Sequence, residues 1–277
     1  MRYQDWKRTD RIEKEYREAL YKISIWFDKI CKTSESLEDF QSKMQNLQNS
    51  KLYEDYCIKI VGRMVTPLAK SNYKAWRMAA RRSSKSKLIY EALLRNINDG
   101  LRDDIRAQIL DNASLIRSLP SDIATKVVKD ITKATYEGLR ASEIVQSIRK
   151  YTWQHSHASA RLIARTEVSK ATTALCKARA ENLGLDWYIW RTARDGDRVR
   201  KSHRVMEGVL VNWKDPPSPE ELVGEKSVGH YHAGNIWNCR CYPEPLIDVE
   251  DLENTVKVYR NGKIETMSRK QFEKLLN

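Results

Sequence analysis

One group of residues in this sequence has the types and spacing to hold a metal or share protons. His203 lies in "RDGDRVRKSHRVMEG" (Arg194–Gly208), "HYH" follows at His230–His232, and "NCRC" closes the stretch at Asn238–Cys241. Imidazole and thiolate are the donors that zinc takes in four-coordinate sites. His203, Cys239, Cys241 and His232 are therefore the candidate set for a structural zinc. The two cysteines are one residue apart, whereas a zinc knuckle usually spaces them by two to four. A disulfide between such close neighbours would be strained and is not expected. A catalytic zinc would need an open position and a carboxylate base, for which Glu207 and Asp197 are the candidates. "DGDR" lacks the alternating oxygen ligands and closing Glu of a calcium loop.

Other chemistries are poorly served. The sequence holds no phosphate-cradling glycine loop, no H-E-x-x-H and no G-x-S-x-G. Cys31, Cys57 and Cys176 fall among apolar helical neighbours and read as core. Five cysteines in all, an odd number, argue against a disulfide framework and for a reducing compartment.

The elements that must position these residues are mostly helices. Ile12, Tyr16, Leu20, Ile23, Phe27 and Ile30 recur every three or four positions, which predicts a long amphipathic helix. Further helical patterns run over 34–48, 52–65, 68–82, 86–98, 101–117 and 121–137, with Pro67, Gly100, Pro120 and Gly138 as expected breaks. "RASEIVQSIRKYTW" predicts a short helix, and Ser156 is the expected cap of the next, which Gly184 ends. Beyond Gly184 the texture changes. Strands are expected within 186–192 and 236–242, and a helix "RVRKSHRVME" capped by Asp195 or Asp197 and stopped by Gly208. A hairpin is expected to turn at Asn261-Gly262. The fold class is thus mainly α with a small α+β module. Three regions are expected: a helical 1–119, a mixed 120–248 and an appendage at 249–277.

The net charge of +13 points to polyanionic partners. Residues 56–90 hold nine Lys and Arg and no Asp or Glu. Lys70, Lys74, Arg77 and Arg81 fall on one helical stripe, joined by Arg82, Lys85 and Lys87, as a non-specific DNA contact or an acidic protein contact would need. No run approaches the roughly 20 apolar residues of a membrane span. The N-terminal "MRYQDWKRTDRIEKEY" has no apolar core for a signal peptide.

The order "ARLIARTEVSKATTA", "YIWRTARDGDRVRKSH", "MEGV" and "NIWNCRC" resembles the phage Mu F-like domain of minor head proteins, the phage head morphogenesis family. The resemblance covers roughly residues 120 to 245. It rests on Arg165, Thr166 and Glu167, on Trp190, on the run from Asp195 through Asp197 and Arg200 to His203, on Gly208, and on Cys-Arg-Cys. It implies a structural, non-enzymatic virion protein in the head interior near the portal, assembled in the host cytoplasm. The implied partners are the portal and other head proteins, and DNA during packaging or ejection. The alternative is a metal-dependent nuclease or related enzyme using His203, Cys239 and Cys241.

Overall fold

The computed structural model describes Trp6, residues 10–82, Ile89, Glu91, and residues 101–137 and 143–276. Lys85, Lys87, Gly100 and Gly138 lie outside the described residues. Seven α-helices are described: α1 (Asp10–Thr33), α2 (Leu37–Asn49), α3 (Lys51–Arg82), α4 (Leu101–Tyr136), α5 (Ile144–Asn182), α6 (Lys201–Arg204) and α7 (Arg269–Glu273). Five strands follow α5 in the sequence: β1 (Trp187–Arg191), β2 (Val209–Asn212), β3 (Tyr242–Pro245), β4 (Thr255–Arg260) and β5 (Lys263–Ser268). Mainly α with a small α+β module is the observed class. No described helix is long and apolar enough to cross a membrane.

The chain divides into two compact units. The first, residues 10–66 and 106–164, is helical. On α1, Ile12, Tyr16, Leu20, Ile23 and Phe27 are buried, as their spacing predicts. Phe40 and Met44 of α2 and Tyr53, Ile60 and Val61 of α3 are buried in the same unit, as are Ile116, Ile123 and Val127 of α4. Ser36 caps α2 by accepting the Asp39 N–H at 3.1 Å.

Three expected breaks are absent. Pro67 lies inside α3 and Pro120 inside α4. A proline within a helix leaves the carbonyl four residues earlier without its donor. For Pro120 that carbonyl belongs to Ile116, and the buried Tyr53 hydroxyl donates to it at 2.9 Å. Tertiary structure thus satisfies what the proline leaves open. Ser156, the expected cap, sits within α5, where its hydroxyl donates to the Trp153 carbonyl at 3.0 Å. The two helices expected around it are one.

The second unit holds Trp6, the described residues of 67–105, and 165–276. Its sheet has the order β3-β1-β2-β4-β5. β1 is antiparallel to both β2 and β3, and β2 is parallel to β4. β4 and β5 form the hairpin turning at Asn261-Gly262, with Arg260 opposite Lys263. Alternation along β1 sends Tyr188 and Trp190 into one core with Trp76, Cys176, Ala180, Val209 and Val211. Ile189 and Trp187 join the other, built on Leu210, Val258 and Phe272. The strand expected over 236–242 begins only at Tyr242, because the chain bends and turns at residues 236–238 and Asn238 takes a left-handed φ of 56°.

A candidate Cys2His metal centre

The second half of α5 builds the site. Residues 165, 166, 169, 173 and 176 lie along one face, and each contacts the 233–243 loop. Arg165 donates to the Asn238 side chain at 2.7 Å, and the Asn238 N–H donates to Thr166 Oγ1 at 2.9 Å. Ser169 and Thr173 donate to the carbonyls of Cys239 and Ala233 at 2.7 and 2.6 Å. Cys176 Sγ lies 3.9 Å from the Pro243 carbonyl. Glu167, also buried, pairs with Lys170 at 3.3 Å. The loop approaches the helix closely at Gly234, whose φ is 84°. A Cβ there would sit 2.7 Å from the Cys241 carbonyl and 2.8 Å from Thr173 Oγ1. Only glycine fits that conformation and that gap.

The 194–208 segment supplies the imidazole. The expected helix over 198–207 is not formed. Instead a 3₁₀ turn (Gly196–Arg198) is followed by extended Arg200 and by the four-residue α6. Asp195 caps nothing with its side chain and pairs with Arg240. Asp197 is exposed and lies 3.7 Å from Arg204. Arg200 donates to the Trp237 carbonyl at 2.9 Å and lies over that indole at 5.6 Å. Gly208 closes the segment at φ 77°, its N–H donating to the Trp190 carbonyl at 2.9 Å.

His203, Cys239 and Cys241 are brought together, each at least 95% buried. His203 Nδ1 lies 3.5 Å from Cys239 Sγ and 3.4 Å from Cys241 Sγ, and the three donors are all within 4.8 Å of one another. A tetrahedral ion with bonds of about 2.3 Å to sulfur and 2.0–2.1 Å to nitrogen separates N from S by about 3.5 Å. The geometry suits zinc. Trp190, fully buried, meets the His203 ring edge-on at 5.6 Å.

The proton inventory agrees. Glu220 accepts from the Tyr231 hydroxyl at 2.6 Å, and Tyr231 in turn lies 3.0 Å from His203 Nε2. Tyr231 spends its proton on the carboxylate, so Nε2 must donate, which leaves the Nδ1 lone pair aimed at the sulfurs. A metal-binding histidine is commonly fixed in this way through its other nitrogen. The hydrogen bond from Cys241 holds the Cys239 thiol well below its ordinary value, against burial that raises it. The same bond, followed by burial, pushes Cys241 well above its ordinary value. A cation held between the two sulfurs would need both as thiolates, so its binding would release their protons.

His232 does not join the group among the described residues. In an extended "HYH" the outer residues share a side, and the side facing the site is that of Tyr231. His232 Nδ1 instead lies 3.2 Å from the Tyr188 hydroxyl, its ring against Trp213 at 5.1 Å. Burial lowers its pKa to about 4. Tyr231 and Glu220 are the site residues that sequence reasoning missed. The alternation of "HYH" was the signal for Tyr231, and Glu220 had none.

Neither candidate base borders the cleft beside the triad, a space of about 160 Å³ lined by Asp195, Arg198, Arg200 and Arg240 as well as the triad itself. Glu207 accepts from the Thr192 N–H and hydroxyl at 2.7 and 2.6 Å and pairs with Arg194 at 2.9 Å. Burial raises its pKa, but those bonds outweigh it and the carboxyl ends below its ordinary value. It is a structural anchor.

A family model described as Phage Mu protein F like protein matches residues 125–243. Over this segment the chain is similar to Mu F-like proteins. Within the matched range, the residues that carry the sequence resemblance hold the module: Arg165 and Thr166 fix Asn238, Trp190 walls His203, Asp195 pairs with Arg240, and Gly208 bonds to Trp190. A protein of Haemophilus influenzae described as uncharacterized is 29% identical over 180 residues, 65% of this chain. The match covers only 36% of that protein's length. No solved structure matches the chain.

Of the candidate DNA or portal contacts on α3, Lys70, Lys74, Arg81 and Arg82 are exposed. Arg77 is half-buried, its guanidinium 5.8 Å from the Tyr73 ring centre, so it is partly a packing residue.

Proposed function

We propose that this chain is a structural minor head protein of a tailed bacteriophage, acting in head morphogenesis from a position beside the portal. The Mu F-like match carries this reading, because its motif residues are used in holding one module together. The centre formed by His203, Cys239 and Cys241 holds a structural zinc in this reading, as the 3.4 and 3.5 Å donor spacings suit. Particles purified after induction of the phage, probed with an antibody to this chain, test the assignment. The chain is expected in heads and absent from tails, and its deletion should reduce DNA-filled heads. A chain found only in the host cell lysate would overturn it.

DNA contact is the finer part of the proposal. The +13 charge and the exposed Lys70, Lys74, Arg81 and Arg82 support non-specific binding. Each neutralised phosphate steepens the log–log salt dependence by about 0.9 on duplex DNA. Changing Lys74, Arg77, Arg81 and Arg82 to Gln should lower both affinity and slope. Unchanged values would assign this face to a protein contact, to be sought with the portal.

The second reading, a metal-dependent nuclease, is favoured by one observation: only three protein donors meet in the centre among the described residues. A plasmid cleavage assay on wild type and His203→Ala, with Zn, Mg or Mn supplied, separates the readings. The structural reading expects no cleavage by either and a misfolded or unincorporated variant. A well-folded His203→Ala that loses a measured cleavage activity would favour the nuclease.

A further inference from the structure

We propose that the fourth position of the Cys/His centre is filled from outside the chain, by a phosphoryl oxygen entering the arginine-lined cleft. This rests on the metal reading above and deepens it by naming the ligand class.

The first observation is the donor count. His203, Cys239 and Cys241 form a closed group of three, and no fourth His, Cys, Asp or Glu among the described residues comes within reach of all of them. A zinc with three protein ligands leaves a fourth position that must be filled from elsewhere. The second observation is where that position opens. All three donors line the cleft of about 160 Å³ with Asp195, Arg198, Arg200 and Arg240. The space is about half the lower bound for a drug-sized ligand pocket. It suits a small group or the end of a larger molecule.

Charge then selects the group. A divalent ion with two thiolates and a neutral imidazole is neutral overall. Three guanidinium groups against the single Asp195 carboxylate leave the cleft positive, which disfavours a cation and favours an anion over water. Two of the three are already fixed. Arg240 is held by Asp195, and Arg200 by the Trp237 carbonyl and ring. Arg198 is exposed and makes no ion pair among the described residues. Planar guanidinium forks match phosphoryl oxygens in paired hydrogen bonds, which a lone halide cannot return. Carboxylates match the same fork, but the net charge of +13 favours phosphate-bearing polyanions, and the ligand is an oxyanion of phosphate chemistry, either free phosphate or the terminal phosphate of a nucleic-acid strand.

The test uses the full chain loaded with one equivalent of Co(II), whose visible bands report both thiolate ligation and coordination number. Inorganic phosphate, a short 5′-phosphorylated oligonucleotide and its 5′-hydroxyl counterpart are then titrated separately. Phosphate should shift the bands saturably. In Arg198→Gln, an exposed change that leaves the fold alone, the phosphate dissociation constant should rise about tenfold, as loss of one charge-assisted hydrogen bond implies. Cobalt stoichiometry should not change. A tighter response to the 5′-phosphorylated strand than to free phosphate, with none to its 5′-hydroxyl form, identifies a strand end. A response to inorganic phosphate alone identifies the free ion, and either result supports the proposal. Absence of a thiolate–cobalt band overturns the metal reading and this inference with it. Bound cobalt with a spectrum that phosphate does not move overturns this inference alone. So does a response that Arg198→Gln leaves intact.

Discussion

Cys57 in the helical unit and Cys239 in the sheet-bearing unit are both almost fully buried, yet their acidities move in opposite directions. Burial pushes Cys57 up to about 11, and its neighbours offset only part of the rise. Cys239 falls well below the ordinary thiol value because Cys241 donates to it. Burial alone makes a thiol inert; a second thiol and an imidazole within 4.8 Å make it a candidate ligand. The helical unit is held chiefly by apolar stripes, whereas the small module spends buried polar groups on its own geometry.

The largest test of this contrast is substitution of each cysteine. Cys57→Ser should cost about 1–3 kcal/mol, the penalty for a poorly satisfied buried hydroxyl. Cys239→Ser should cost clearly more, and a chelator should destabilise the wild type while adding nothing in that variant, because metal binding energy is folding energy. Equal losses in denaturant titrations, with no chelator effect, would erase the contrast.

Glycine gives a second pair. Gly234→Ala should lose at least about 3 kcal/mol, since strain at positive φ adds to collisions with the Cys241 carbonyl and Thr173. A circular-dichroism melt of the variant checks it.

The pH dependence of the second unit should follow His232. Its native pKa of about 4 lies below the ordinary 6.5, so the unfolded chain binds the proton more readily. Stability is therefore complete above about pH 6.5 and declines as the pH falls towards 4, by roughly 3 kcal/mol in all at about 1.4 kcal/mol per unit. His232→Gln should flatten that part of the profile. A slope unchanged by the substitution would move the titration to another group.

The smallest effect returns to the helices. Gly62 lies within α3 with nothing within 4 Å of a Cβ built there. Gly62→Ala should stabilise by about 0.5–1 kcal/mol, opposite in sign to the change at Gly234.

What the sequence made legible follows the range of the forces involved. The stripe from Ile12 to Phe27 and the Asn261-Gly262 hairpin are local signals, and both elements formed as their residues predict. Convergence of His203 with Cys239 and Cys241 was legible too, since imidazole and closely spaced thiols are the usual donors of one zinc site. Pro120 misled because proline signals a break only where nothing else satisfies the freed carbonyl, and Tyr53 lies 63 residues from Ile116; for Pro67 the structure shows no such donor among the described residues. The helix expected after Asp195 shrank to four residues because that carboxylate answers to Arg240, not to the backbone after it. His232 gave way to Tyr231 because the pattern fixes which residues share a side but not which side faces the site.

The parallel pairing of β2 with β4 bears on how the protein is made. A ribosome delivers β1 and β2, then the loop with both cysteines and β3, and only afterwards β4 and β5. Until β4 emerges, one edge of β2 has no neighbour in the sheet, and a bare edge invites pairing with other chains. A nascent chain stalled before Thr255 would therefore be sticky even with its metal donors already translated. The β4–β5 hairpin moves that edge out to β5, where Lys263 and Glu265 discourage further pairing.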